Sequence, residues 1–139
     1  MTTNPTVTRR LVADDHRIEH TAAVFGIRFP LNLEPLVYTF AERLSPDYDG
    51  GYWAYYALSN GGFYMSPDSG RAFNVSCDNG YKGVLSADGL GITVCLYAYS
   101  HLSFSGDGEF AEVCAQQYHW LRDYMLDLPE SLAILGATD

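Results

Sequence analysis

The chain has 139 residues, 47% of them hydrophobic, and 17 acidic against 8 basic side chains give a formal charge of −9. That length and apolar content suit one domain with a real core, and no shift in composition suggests a second. The charge argues against binding a phosphate backbone, yet the carboxylates are too scattered to imitate a duplex, which carries one charge about every 1.7 Å of axis.

The opening MTTNPTVTRR lacks the apolar stretch of a secretory signal. No later segment offers the roughly 18 uninterrupted apolar residues of a membrane span, so a soluble, cytoplasmic protein is expected. Residues 1–8 read as a loose tail and residues 9–139 as the domain. Asp14 caps a predicted helix through about Phe25, with Ile18, Ala22 and Phe25 on one face and Gly26 as the stop. A linker containing Pro30 leads to a second helix, Glu34 to Leu44. Pro35 suits its first turn, Leu36, Val37, Phe40 and Leu44 form its apolar stripe, and Ser45-Pro46 ends it.

The stretch from Asp47 to Pro67, DYDGGYWAYYALSNGGFYMSP, holds two aromatic runs around Asn60-Gly61, a strong hairpin signal. A two-residue turn pairs Leu58 with Phe63, Ala57 with Tyr64 and Tyr56 with Met65. Ala54, Tyr56, Leu58, Phe63 and Met65 then share one face, and Trp53, Tyr55, Ala57 and Tyr64 the other. The second face is either covered by another layer or exposed as a binding surface.

Asp68-Ser69-Gly70 reads as a turn before a strand from Phe73 to Cys77, and Asp78-Asn79-Gly80 as a three-residue loop with Gly80 left-handed. That loop pairs Cys77 with Tyr81, Val75 with Gly83 and Phe73 with Leu85. Ser86 is the expected cap of a helix reaching about Phe104, apolar all round and therefore central. Gly89 and Gly91 near its start suit close approach to the aromatic hairpin. After Gly106-Asp107-Gly108, a helix from about Glu109 to Leu126 presents Phe110, Val113, Cys114, Tyr118, Leu121, Tyr124 and Met125 inward, with Trp120 at the edge. Pro129 stops it, and Ser131 to Leu135 add a last turn. Cys77, Cys95 and Cys114, odd in number and inside predicted elements, are expected to be reduced and buried. The predicted class is α+β: one antiparallel sheet of about four short strands, as two hairpins, covered by four or five helices.

Few residues suggest catalysis. His16-Arg17-Ile18-Glu19-His20 fits the H-x-x-E-H spacing of a zinc hydrolase, with His16 and His20 as ligands beside Glu19 as base. No third ligand stands out, and the same letters describe a solvated first turn. Cys95 or Cys114 could pair with His101 or His119, but Cys114 and His119 fall on opposite sides of their helix. Asn60-Gly61-Gly62 lacks the phosphate-loop pattern, and no Lys or Arg lies between Arg43 and Arg71 to make the aromatic hairpin a base-stacking groove. The Asp47-Tyr48-Asp49 loop is the candidate interaction site, as a polar turn or a binding element.

Pro46 to Trp53, Tyr56, Leu58 to Met65, Ser86-Ala87-Asp88 and Gly91-Ile92 resemble the antirestriction proteins called ArdB or KlcA. Asp14-Asp15-x-Arg17, Phe25-Gly26 and Leu121-Arg122-Asp123 extend the resemblance over nearly the whole chain. It implies a small intracellular α+β protein from plasmids, phages or genomic islands. Such a protein protects unmodified DNA from type I restriction enzymes, blocking cleavage and sparing methylation, with no catalytic site or cofactor. The implied partner is the type I restriction-modification complex or a step it depends on, and the candidate surface for it is Asp47, Tyr48, Asp49, Tyr52, Trp53, Tyr55 and Tyr64. The histidines of the HRIEH segment are not part of the family pattern. An acidic DNA mimic is the alternative, and a zinc hydrolase a third.

Overall fold

The structure, a computed structural model, describes residues 6–105 and 108–139. Among the described residues five strands, β1 (Arg9–Leu11), β2 (Trp53–Leu58), β3 (Phe63–Pro67), β4 (Ala72–Ser76) and β5 (Lys82–Ser86), accompany five α-helices. The helices are α1 (Arg17–Phe25), α2 (Glu34–Leu44), α3 (Ala87–Ser103), α4 (Gly108–Met125) and α5 (Ser131–Thr138). The α+β class is as expected, but the strands form two antiparallel sheets, β1-β2-β3 and β4-β5, where one was expected.

The first hairpin explains the division. Ala57 pairs with Phe63, Tyr56 with Tyr64 and Tyr55 with Met65, one residue away from the expected register. Leu58 N–H donates to the Gly62 carbonyl at 2.8 Å and Gly61 N–H to the Leu58 carbonyl at 3.0 Å, so Ser59-Asn60-Gly61 is a three-residue loop with Gly61 at φ +101°. Tyr55 therefore shares a face with Phe63 and Met65, while Tyr64 joins Tyr56. In this register Phe63 and Met65 aim their backbone groups away from β2. Helical side chains meet three of these groups: Phe63 N–H donates to Gln117 Oε1 at 2.8 Å, Tyr99 donates to the Phe63 carbonyl at 2.6 Å, and the Cys95 thiol to the Met65 carbonyl at 3.5 Å. With that edge filled by α3 and α4, β4 has nothing to pair with there.

The second hairpin has the expected loop. Cys77 N–H donates to the Tyr81 carbonyl at 2.8 Å, Gly80 has φ +92°, and Val75 pairs with Gly83 and Phe73 with Leu85. Ser86 caps α3, accepting from Gly89 N–H at 3.0 Å. Helix α3 is buried on all sides against β3, α2, α4 and α5. A Cβ on Gly91 would lie 2.3 Å from Ser66 Cβ and 2.5 Å from the Met65 carbonyl, the close approach expected of it; Gly89 instead faces the Glu130 carboxylate.

Four further expectations are revised. Thr8, expected in a tail, exchanges hydrogen bonds with Ser59 and leads into β1, a strand not foreseen; residues 1–5 lie outside those described. The segment around Pro30 is helical, Phe29–Leu33 forming a wide turn that runs into α2 with Phe29 and Leu33 buried. On α1, Thr21 and Phe25 are buried, whereas Ile18 and Ala22 are exposed. On α4 the buried set includes Gln117, and Val113 and Tyr118 are only partly covered. Gly106 and Asp107 lie outside the described residues, and the three cysteines are free and buried. Among the described residues no helix is long and apolar enough to cross a membrane.

Candidate functional site

Three residues expected on a partner surface are inside the molecule, because both faces of the first hairpin are covered. Trp53 lies between the rings of Tyr38 and Tyr48, at centroid distances of 5.3 and 5.7 Å, and its Nε1–H donates to Tyr48 Oη at 3.1 Å. Tyr64 stacks on Tyr124 of α4 and on Tyr56. Its hydroxyl accepts from Arg9 and donates to Asp88, each at 2.7 Å, while Arg9 lies over the Tyr56 ring. Tyr55 packs edge-on against Phe29 and Phe63. Burial of an aromatic ring with its polar tip satisfied is a packing role.

The loop before β2 remains at the surface. Asp47 accepts from the backbone N–H of Asn74 at 2.7 Å and from its side-chain amide at 3.0 Å, which holds the carboxyl below its ordinary range. Arg71 donates to the Asp47 carbonyl at 2.8 Å and pairs with Asp49 at 3.4 Å. Gly50 and Gly51, at φ +93° and +106°, then turn the chain into the strand. Asp47 and Tyr48 thus shape the loop from within, while Asp49 and Tyr52 face outward.

Tyr52 connects this loop to a groove that the sequence did not reveal. Its hydroxyl donates to Asp14, and its ring lies 4.6 Å from the guanidinium carbon of Arg17, which lies 4.1 Å from the Tyr55 ring on its other approach. Arg17 also donates to the Trp53 carbonyl at 2.6 Å and pairs with Asp14 at 3.4 Å. Tyr55 in turn donates to Glu34; burial first, then the Glu34 carboxylate, pushes its phenol well up, and burial pushes Tyr38 up to about 12. Both phenols stay protonated at neutral pH, and Tyr55 is a donor. Above this knot opens a cavity of about 550 Å³ lined by Ile18, Ile27, Phe29, Pro30, Glu34 and Tyr55 among others. The available signal was Ile18, which the helical stripe of Ile18, Ala22 and Phe25 assigns to the core.

His16, Glu19 and His20 line a separate hollow with Arg10 and Val12. Burial, then the charge of Arg10, lowers the His20 pKa, and an arginine facing the same hollow opposes a bound dication. Among the described residues no three His, Cys, Asp or Glu side chains are grouped to hold a metal ion. Burial raises the thiols of Cys95 and Cys114 to about 12, which keeps them from acting as thiolates at neutral pH. His101 packs edge-on to Phe40, and His119 against Tyr118.

The profile described as Antirestriction protein matches residues 46–139. An antirestriction protein KlcA of Escherichia coli is 40% identical over 135 residues, which span 96% of this chain and 95% of that protein. A second KlcA of Escherichia coli is 37% identical over 142 residues, 98% and 95% of the two chains. YafX, an uncharacterized protein of Escherichia coli strain K12, is 39% identical over 134 residues, 92% and 85%. A solved structure superposes with a TM-score of 0.90 at 40% identity, over 100% of this chain and 99% of the other. It is described for the KlcA and ArdB proteins as a novel fold with antirestriction activity against type I DNA restriction systems in vivo but not in vitro. The groove, the paired arginines and the buried hairpin therefore stand on a shared fold, and the chain belongs to the antirestriction protein family.

Proposed function

We propose that this chain protects unmodified DNA from type I restriction in the cytoplasm as a non-enzymatic inhibitor that leaves methylation intact. The observation that carries this reading is the end-to-end match to the KlcA and ArdB structure, with its activity against type I systems in vivo but not in vitro. A mimic that competes for the enzyme's DNA site would act on purified components, so that contrast favours dependence on another cellular component. Charge placement agrees. Asp14, Asp49, Asp78 and Asp88 are each paired with an arginine, which leaves no continuous anionic ridge through them to imitate a duplex. The contact surface in this reading is Asp49 and Tyr52, on a loop shaped by Asp47 and Tyr48, together with the adjoining groove. Trp53, Tyr55 and Tyr64 act as its internal support.

Unmodified phage should plate better on a type I restricting strain that expresses this chain. Unchanged plating, with the protein present, soluble and folded, would sink the reading. The mimic alternative requires instead that purified chain displace DNA from the purified enzyme in a salt-sensitive way and that methylation fall along with cleavage.

A further inference from the structure

We propose that the groove beside α1 docks a basic amphipathic helix of a cellular protein. This rests on the inhibitory reading above and names the class of partner it requires. Ile18 and Ile27, which line the groove, are 86% and 69% exposed, over a floor that includes Phe29 and Tyr55. A cluster of large aliphatic side chains around a concavity is the surface that a partner covers. The groove walls are α1 and the helical turn Phe29–Leu33, whose backbone groups bond within their own segments, so a strand cannot add to an edge here and recognition falls to side chains. A helix presenting aliphatic residues at i, i+3, i+4 and i+7 meets that requirement.

Charge selects the polar face of the partner. Arg17, the cation lining the groove, is committed to the Trp53 carbonyl, Asp14 and two aromatic rings. Glu34 accepts from the Tyr55 hydroxyl, and a carboxylate has about four acceptor positions, so it can take a lysine or arginine as well. Glu34, on a chain of net charge −9, also repels an anionic lipid surface that the aliphatic cluster would otherwise suit.

The test uses the full chain and two fluorescein-labelled helical peptides of about 15 residues with one leucine pattern, carrying lysines or glutamates at the polar positions. Fluorescence anisotropy should show the lysine peptide binding, and the glutamate peptide binding at least about tenfold more weakly. Ile18→Ser and Ile27→Ser should each weaken the lysine peptide about tenfold, and Glu34→Gln should weaken it at low salt. Phe104→Ser, at an exposed apolar site elsewhere, should leave binding unchanged. Equal binding of the two peptides, binding of neither, indifference to both isoleucine changes, or partition onto anionic vesicles in preference to the lysine peptide overturns the proposal. Wild-type chain that fails to protect phage would overturn the inhibitory reading instead, a result the peptide titration does not share.

Discussion

Asp47 holds Asn74 through two hydrogen bonds, one to its backbone N–H and one to its side-chain amide, so the loop before the first hairpin is latched onto the second. The sequence left the Asp47-Tyr48-Asp49 loop open as a polar turn or a binding element, and the Asp47 carboxylate positions that loop. Asp47→Ala and Asn74→Ala should each lower the thermal midpoint by about 3 °C, and the double variant should be no worse than the poorer single one. Circular dichroism melts of the four proteins check this. If Asp47 acts through the latch, Asn74→Ala should reduce restriction relief as much as Asp47→Ala does.

Gly91 is the narrowest contact between α3 and the first sheet. A methyl group there meets Ser66 Cβ and the Met65 backbone, neither of which can swing away. Gly91→Ala should therefore destabilise the protein by about 3 kcal/mol, whereas Gly70→Ala, with nothing within 4 Å of its Cβ, should change stability by less than about 0.5 kcal/mol. Urea titration distinguishes the two.

Gln117 fills the open edge of β3, accepting from Phe63 N–H and donating to the Gly61 carbonyl at 3.2 Å. Gln117→Leu keeps the volume but leaves a buried N–H unpaired, which should cost about 2 kcal/mol. Hydrogen exchange at the Phe63 amide should accelerate in that variant.

His20 gives the fold a dependence on pH. Burial, then Arg10, lowers its pKa below the ordinary 6.5, so the unfolded chain binds the proton more tightly than the native state does. The stability this provides is complete above about pH 6.5 and is lost as pH falls through the window between the unfolded and folded values. His20→Gln should show a smaller drop in thermal midpoint than wild type between about pH 7.5 and about pH 5.5. An identical drop in the two proteins would contradict this sign.

Local chemistry made the helices and the second hairpin legible. Asp78-Asn79-Gly80 needed only a left-handed glycine and an apolar register to be read, and Ser86 announced α3. The first hairpin slipped by one residue because Asn-Gly fits both a two-residue turn and the end of a three-residue loop. In the three-residue loop the Asn60 amide donates to the Trp120 carbonyl at 3.0 Å, an anchor sixty residues away in sequence that the local pattern could not reveal. Strand β1 carries only Arg9, Arg10 and Leu11, all exposed, and exists through its pairing with β2. The separation of the sheets depends on Gln117, Tyr99 and Cys95 occupying an edge, a tertiary fact. For the site, the sequence named Tyr52 and Asp49, which are exposed, but also Trp53, Tyr55 and Tyr64, which are buried. It placed Ile18 in the core because helical periodicity records apolar spacing and cannot say which of two apolar stripes is covered.

The most direct test is the efficiency with which unmodified phage plates on a type I restricting strain, together with the modification state of its progeny. Expression of wild-type chain should raise plating toward that of a non-restricting host while progeny emerge modified. Tyr52→Ala, with an unchanged melting profile, should lose much of that relief. Plating that stays at the restricted level while folded wild-type chain is present would contradict the assignment of restriction relief to this protein.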